Sequence, residues 1–137
     1  MGRRASKKKS SIRLRTVASS HAASSALTAL STFAQANTQG VATPTGSVPA
    51  LSAYTQAGVT GVSTNNLSAI NDALASAPVD GTAANTTAKV QAIVDAYNAI
   101  LGEANDSTNA AGNTTPDATP GVNPTAAPYA LIGANIG

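Results

Sequence analysis

Catalysis needs groups that titrate or attack, and this chain has few of them. Its one histidine, His21, follows Ser20 directly. A nucleophile–base pair needs two side chains held at hydrogen-bond distance, and neighbours in a Ser-rich stretch do not hold that geometry. There is no cysteine, so neither thiolate chemistry nor a disulfide framework is available. The carboxylates Asp72, Asp80, Asp95, Glu103, Asp106 and Asp117 are too dispersed for paired acid–base work. Asp80 stands before Gly81 in a turn, but the alternating Asp/Asn ladder of a calcium loop does not follow. Asp72 and Asp95 are expected on solvated helix faces. Gly58 and Gly61 suit turns rather than a phosphate loop. Tyr54, Tyr97 and Tyr129 could anchor a ligand, but the helical spacing around Tyr54 and Tyr97 assigns both to a core. No catalytic, cofactor-binding or metal-ligating residue is assigned, and the chain is not expected to be an enzyme.

The elements around these residues divide the chain. Hydrophobic residues make up 42% of it, but most are Ala, with one Phe and no Trp. Each large apolar side chain contributes roughly 1.5–3 kcal/mol when fully buried. Only residues 50–102 carry such side chains at useful density, so a small core is expected. Seven of the eight basic residues fall within the first 15, whereas residues 16–137 hold one Lys against six carboxylates, a formal charge of −5. Two charge regimes imply two pieces. No stretch approaches the roughly 20 apolar residues of a membrane span.

Residues 1–36 read as a basic, Ser/Ala-rich leader or degenerate signal segment. The run MGRRASKKKSSIRLR precedes a broken apolar stretch that ends in Ala34-Gln35-Ala36, a small-x-small pattern. A disordered basic tail and a nucleic-acid-binding arm are the other readings. The basic run could neutralise phosphates in a salt-dependent way, but it lacks interleaved aromatics for base stacking. Residues 37–48 and 106–123 are Pro/Gly/Thr-rich linkers without apolar period, expected to be disordered.

Between the linkers, residues 49–105 predict three helices. The first begins near Ser47, with Pro49 in its opening turn and a stop at Gly58. The second begins at Ser63 or Thr64, carries Leu67, Ile70, Leu74 and Ala77 on one face, and ends at Pro78. Its Asn65, Asn66, Ser68, Asn71 and Asp72 are expected on the solvated side. The third is capped by Thr86 or Thr87 and aligns Val90, Ile93, Val94, Tyr97, Ile100 and Leu101 in a broad stripe. It ends at Gly102 or Asn105. The expected fold is all-α, a small three-helix bundle flanked by disordered linkers.

An internal repeat accompanies this pattern. Pro49, Tyr54 and Gly58 recur as Pro124, Tyr129 and Gly133, at a constant offset of 75 residues. Upstream of each Pro lies a linker, and upstream of each linker a helix-like end, LTALSTFAQAN (27–37) and AYNAILGEAN (96–105). Residues 124–137 then read as the start of a second, truncated repeat. Residues 27–36 cannot be both a signal segment and the tail of a preceding unit.

Residues 53–105 resemble the helical repeats found in tandem in very large bacterial surface adhesins. They are more distantly similar to GA modules, the three-helix albumin-binding domains of bacterial surface proteins. The match rests on Ala57-Gly58-Val59, Leu67-Ser68-Ala69-Ile70-Asn71 and the stripe from Val90 to Leu101. The resemblance implies a helical bundle in a secreted or cell-surface setting. Albumin binding does not carry over, because the second helix offers small polar residues where a hot spot needs aromatic or Arg anchors. The expected function is a non-enzymatic structural and adhesive repeat module without cofactor. Its expected partners are neighbouring repeats and a host or neighbouring surface protein. The alternatives are an albumin-type host-protein binder, a basic-tailed polyanion or nucleic-acid binder, and a reading frame without selected function.

Overall fold

The computed structural model describes residues 4–40, 43–105 and 125–134, with side chains for 17–40, 43–102 and 125–134. The linker predicted at 106–123, and the basic side chains of residues 3–15, lie outside the described residues. Among the described residues five helices follow in order: α1 (Arg4–Ala36), α2 (Leu51–Gln56), α3 (Leu67–Leu74), α4 (Thr87–Asn105) and α5 (Ala126–Leu131). No strand occurs among the described residues. Among the described residues no helix is long and apolar enough to cross a membrane.

The core extends well upstream of residue 49. Ala26, Leu30, Phe33 and Ala34 of α1 are buried together with Tyr54, Ile70, Leu74, Val90, Ile93 and Val94. Their spacing along α1 places them on one helical face. From Val17 to Ser25 the same helix is largely exposed. Small side chains do much of the packing: Ala57, Ala73, Ala75, Ala84 and Ala96 are also buried, and Ala lets helix backbones approach closely. α2 packs on α1, α3 packs on α4 and on α1, and α5 packs on α4.

α2 and α3 are shorter than periodicity alone predicts, for local reasons. α2 begins at Leu51 rather than near Ser47, so Pro49 stands before the helix instead of in its first turn. Its carbonyl accepts a bond from Asn71 Nδ2 at 3.0 Å. α3 begins at Leu67 because Asn66 Oδ1 accepts the Ser63 N–H at 2.7 Å, a side-chain bond that holds Ser63–Asn66 as a turn. It stops at Leu74 rather than Ala77, and Ser76 Oγ donates to the Ala73 carbonyl at 2.6 Å. α4 opens at Thr87 with Thr86 as cap, its Oγ1 accepting the Lys89 N–H at 3.3 Å. It runs through Gly102 to Asn105.

Candidate functional site

Two of the polar side chains expected in solvent, Asn66 and Asn71, are joints of the fold. Asn71 is the clearest correction: it is buried, not on a solvated face. Its Oδ1 accepts the Tyr54 hydroxyl at 2.6 Å, and its Nδ2 donates to the Pro49 carbonyl. One side chain thus joins α3 to α2 and to the residue before it. Tyr54 is in the core as expected, with no measurable exposure. Burial pushes its phenol far above the usual tyrosine range, because the charged form would lose its hydration.

Asn37 does the same work at the end of α1. Its Nδ2 donates to the Phe33 carbonyl at 2.8 Å and to the Thr45 carbonyl at 3.0 Å. Its Oδ1 accepts the Thr45 N–H at 2.7 Å. Part of the 37–48 segment, predicted as a disordered linker, is therefore closed into a loop across Asn37 and Thr45. A third joint fixes the turn after α2. Gly61 O accepts from Asn66 Nδ2 at 2.9 Å and from Asn98 Nδ2 at 3.0 Å. Gln91 Oε1 accepts the Thr60 N–H at 2.9 Å while its Nε2 donates to the Thr60 carbonyl at 3.1 Å. Thr87 Oγ1 donates to the Ala57 carbonyl at 2.8 Å, tying the start of α4 to the end of α2. Asn66 is thus half-buried between α3 and α4 rather than solvated.

Of the titratable residues, Tyr54 belongs to the first joint and Asp95 touches the third through Gln91; the others lie away from them. Asp72 and Asp95 are exposed as expected, and Asp95 accepts from Gln91 Nε2 at 2.8 Å. Asp80 Oδ1 accepts the Ala83 N–H at 2.7 Å and so shapes its own turn. Lys89 Nζ donates to the Thr82 carbonyl and to Asn85 Oδ1. His21 is exposed on α1. Among the described residues no three His, Cys, Asp or Glu side chains come together as a metal site. Amide side chains neither titrate nor attack; what they do here is satisfy backbone groups that burial would leave unpaired. Asn71 could have been found in the sequence, because Leu67, Ile70, Asn71 and Leu74 fall at i, i+3, i+4 and i+7. A buried Tyr hydroxyl also demands a partner.

The repeat seen in the sequence extends to backbone hydrogen bonds. α2 closes with Ala57 N–H to Ala53 O, Gly58 N–H to Thr55 O and Val59 N–H to Tyr54 O. α5 closes with Ile132 N–H to Pro128 O, Gly133 N–H to Ala130 O and Ala134 N–H to Tyr129 O. Each bond of the second set is the first set moved by 75 residues. Both ends are Schellman caps that need a left-handed residue, supplied by Gly58 at φ 77° and Gly133 at φ 82°. α2 and α5 each span six residues and each packs on the long helix preceding it. A groove of about 240 Å³ runs beneath α5, lined by Pro78, Val79, Ala92 and Ile93 and by Ala130 and Leu131 of α5 itself. No family model, no curated protein and no solved structure matches this chain.

Proposed function

We propose that this chain is a stretch of a tandem helical array, acting as a non-enzymatic structural and adhesive spacer of a secreted or cell-surface protein. The observation that carries the reading is the head motif at residues 49–59, repeated at 124–134 in sequence, helix length and cap bonding. A unit is then three helices, α2, α3 and α4, preceded by the tail helix of the unit before it. The burial of Leu30, Phe33 and Ala34 supports the tail reading of residues 27–37 over the leader reading. A cut after Ala36 would remove those side chains from the core.

The surface setting rests on the resemblance to adhesin repeats. The residues that carry it are largely interior: Ala57, Val59, Ile70, Asn71, Val90, Ile93 and Val94 are all buried. They speak for architecture, and the partner of an adhesive surface must be sought among exposed residues. In a repeat protein, stability is approximately the sum of unit and interface contributions. Chains carrying one, two and three copies of the 75-residue unit should therefore lengthen by equal increments in small-angle scattering and gain resistance to urea with each copy. Equal compactness and equal stability across the series would overturn the array reading. Capture of a soluble host protein, compared with capture by a chain carrying disrupted caps, tests the adhesive part.

A further inference from the structure

Resting on the array reading, we infer that the face formed by Ser76–Val79 and the adjoining side of α4 is a seat for the head helix of the following unit. Neighbouring units then touch directly instead of hanging from the linker between them. α5 is the occupant: it follows the linker, yet it packs back on α4, and Ile132 reaches the edge of the main core.

The two cap glycines separate what the helix end needs from what the seat needs. A Cβ at Gly58 would meet only Thr87 Cγ2, at the ordinary distance of 3.7 Å. A Cβ at Gly133 would collide with Cβ and Oγ of Ser76 and stand 3.3 Å from Pro78 Cδ. Both positions need glycine for their positive φ. Gly133 needs it a second time, for close approach to the loop after α3. That second demand comes from contact between units. The occupant is also incompletely covered. Tyr54 is fully buried, whereas Tyr129, its counterpart, is half-buried, and α5 has no buried residue. α2 owes its extra cover to Asn71 of α3 and Thr87 of α4. α5 therefore contacts the seat with one side and leaves the other for the second and third helices of its own unit.

Amide hydrogen exchange by NMR on the full chain tests this seat. Expected in the unaltered protein is protection at Ile132, Gly133 and Ala134, the donors of the α5 cap. Gly133→Ala should speed their exchange roughly tenfold from the left-handed penalty and further from the collision with Ser76, so by clearly more than Gly58→Ala speeds exchange at residues 57–59. Ile70 and Val90 should keep their protection. Ala92→Arg, which fills the groove from the α4 side and leaves α5 unaltered, should release the same three amides. Gly46→Ala is the control, because Gly46 has positive φ but nothing within 4 Å of an added Cβ; it should leave them protected. Free-chain exchange at 132–134 beside protected amides at Ala57, Gly58 and Val59 would overturn the seat and leave the array reading intact. Free-chain exchange at both caps would overturn both. Indifference of residues 132–134 to Gly133→Ala and Ala92→Arg would overturn the seat alone.

Discussion

The joint between Tyr54 and Asn71 makes a quantitative prediction. The phenol hydroxyl and the Asn71 oxygen lie 2.6 Å apart with neither side chain open to water. Tyr54→Phe keeps the ring and strands one buried acceptor, which costs about 1–3 kcal/mol. Asn71→Leu keeps roughly the volume but strands two groups, the Tyr54 hydroxyl and the Pro49 carbonyl, so its cost is about twice that, ~2–6 kcal/mol. The double variant strands only the Pro49 carbonyl. It should therefore be more stable than Asn71→Leu alone by about 1–3 kcal/mol, although it carries one more substitution. Urea unfolding followed by the helical circular dichroism signal measures all four proteins. Two results would refute the reasoning: Tyr54→Phe within ~0.5 kcal/mol of the parent, the usual range of a surface change, or simple additivity in the double variant.

Other predictions follow from the same contacts. Phe33→Ala, in α1, should cost about 3–5 kcal/mol because the ring is buried among the other helices; a surface-sized loss in thermal unfolding would detach α1 from the core. Gly58→Ala should cost about 1–2 kcal/mol through backbone strain alone, since its Cβ has room beside Thr87; urea midpoints decide. Burial raises the Tyr54 pKa above its unfolded value near 10, so the folded state holds its proton longer. This contribution is fully present below about pH 10 and is lost as pH rises toward the folded value. Alkaline unfolding should show that decline, and Tyr54→Phe should be measurably flatter over the same range.

How much of this was legible in the sequence depends on what kind of signal each element leaves. α4 announces itself through Val90, Ile93, Val94 and Tyr97, because large apolar residues at period 3.6 have few other uses. The cap at Gly58 is visible for a similar reason, since few other residues adopt positive φ. The part of α1 in the core leaves a fainter trace. Leu30 and Phe33 stand among Ala, Ser and Thr, and counting large side chains undervalues Ala26 and Ala34, which contribute by letting backbones come close. The Asn joints leave less still. Asn37 and Asn66 have the composition of solvated residues and are drawn in only when a carbonyl or side chain outside their own helix arrives to be paired. Asn71 is betrayed by its place on the apolar face of α3 but not by its partner. Thr45, Gly61 and Tyr54 supply those groups, and no local period links them to their partners.

The joints also bear on how a chain with so few large side chains holds one arrangement. Small Ala faces pack closely but fit many registers, because one methyl resembles the next. A buried amide does not share that tolerance. Displaced by one turn, Asn71 would strand the Tyr54 hydroxyl and the Pro49 carbonyl together, and Asn37 would strand both the N–H and the carbonyl of Thr45. Each misplacement costs the desolvation of every stranded group. The apolar residues bring the helices together, and the amides select which neighbours they keep. In an array whose units differ in their linkers, that selection would act at the helix ends: the tail helix held by its Asn, the head helix by its Tyr and its glycine cap.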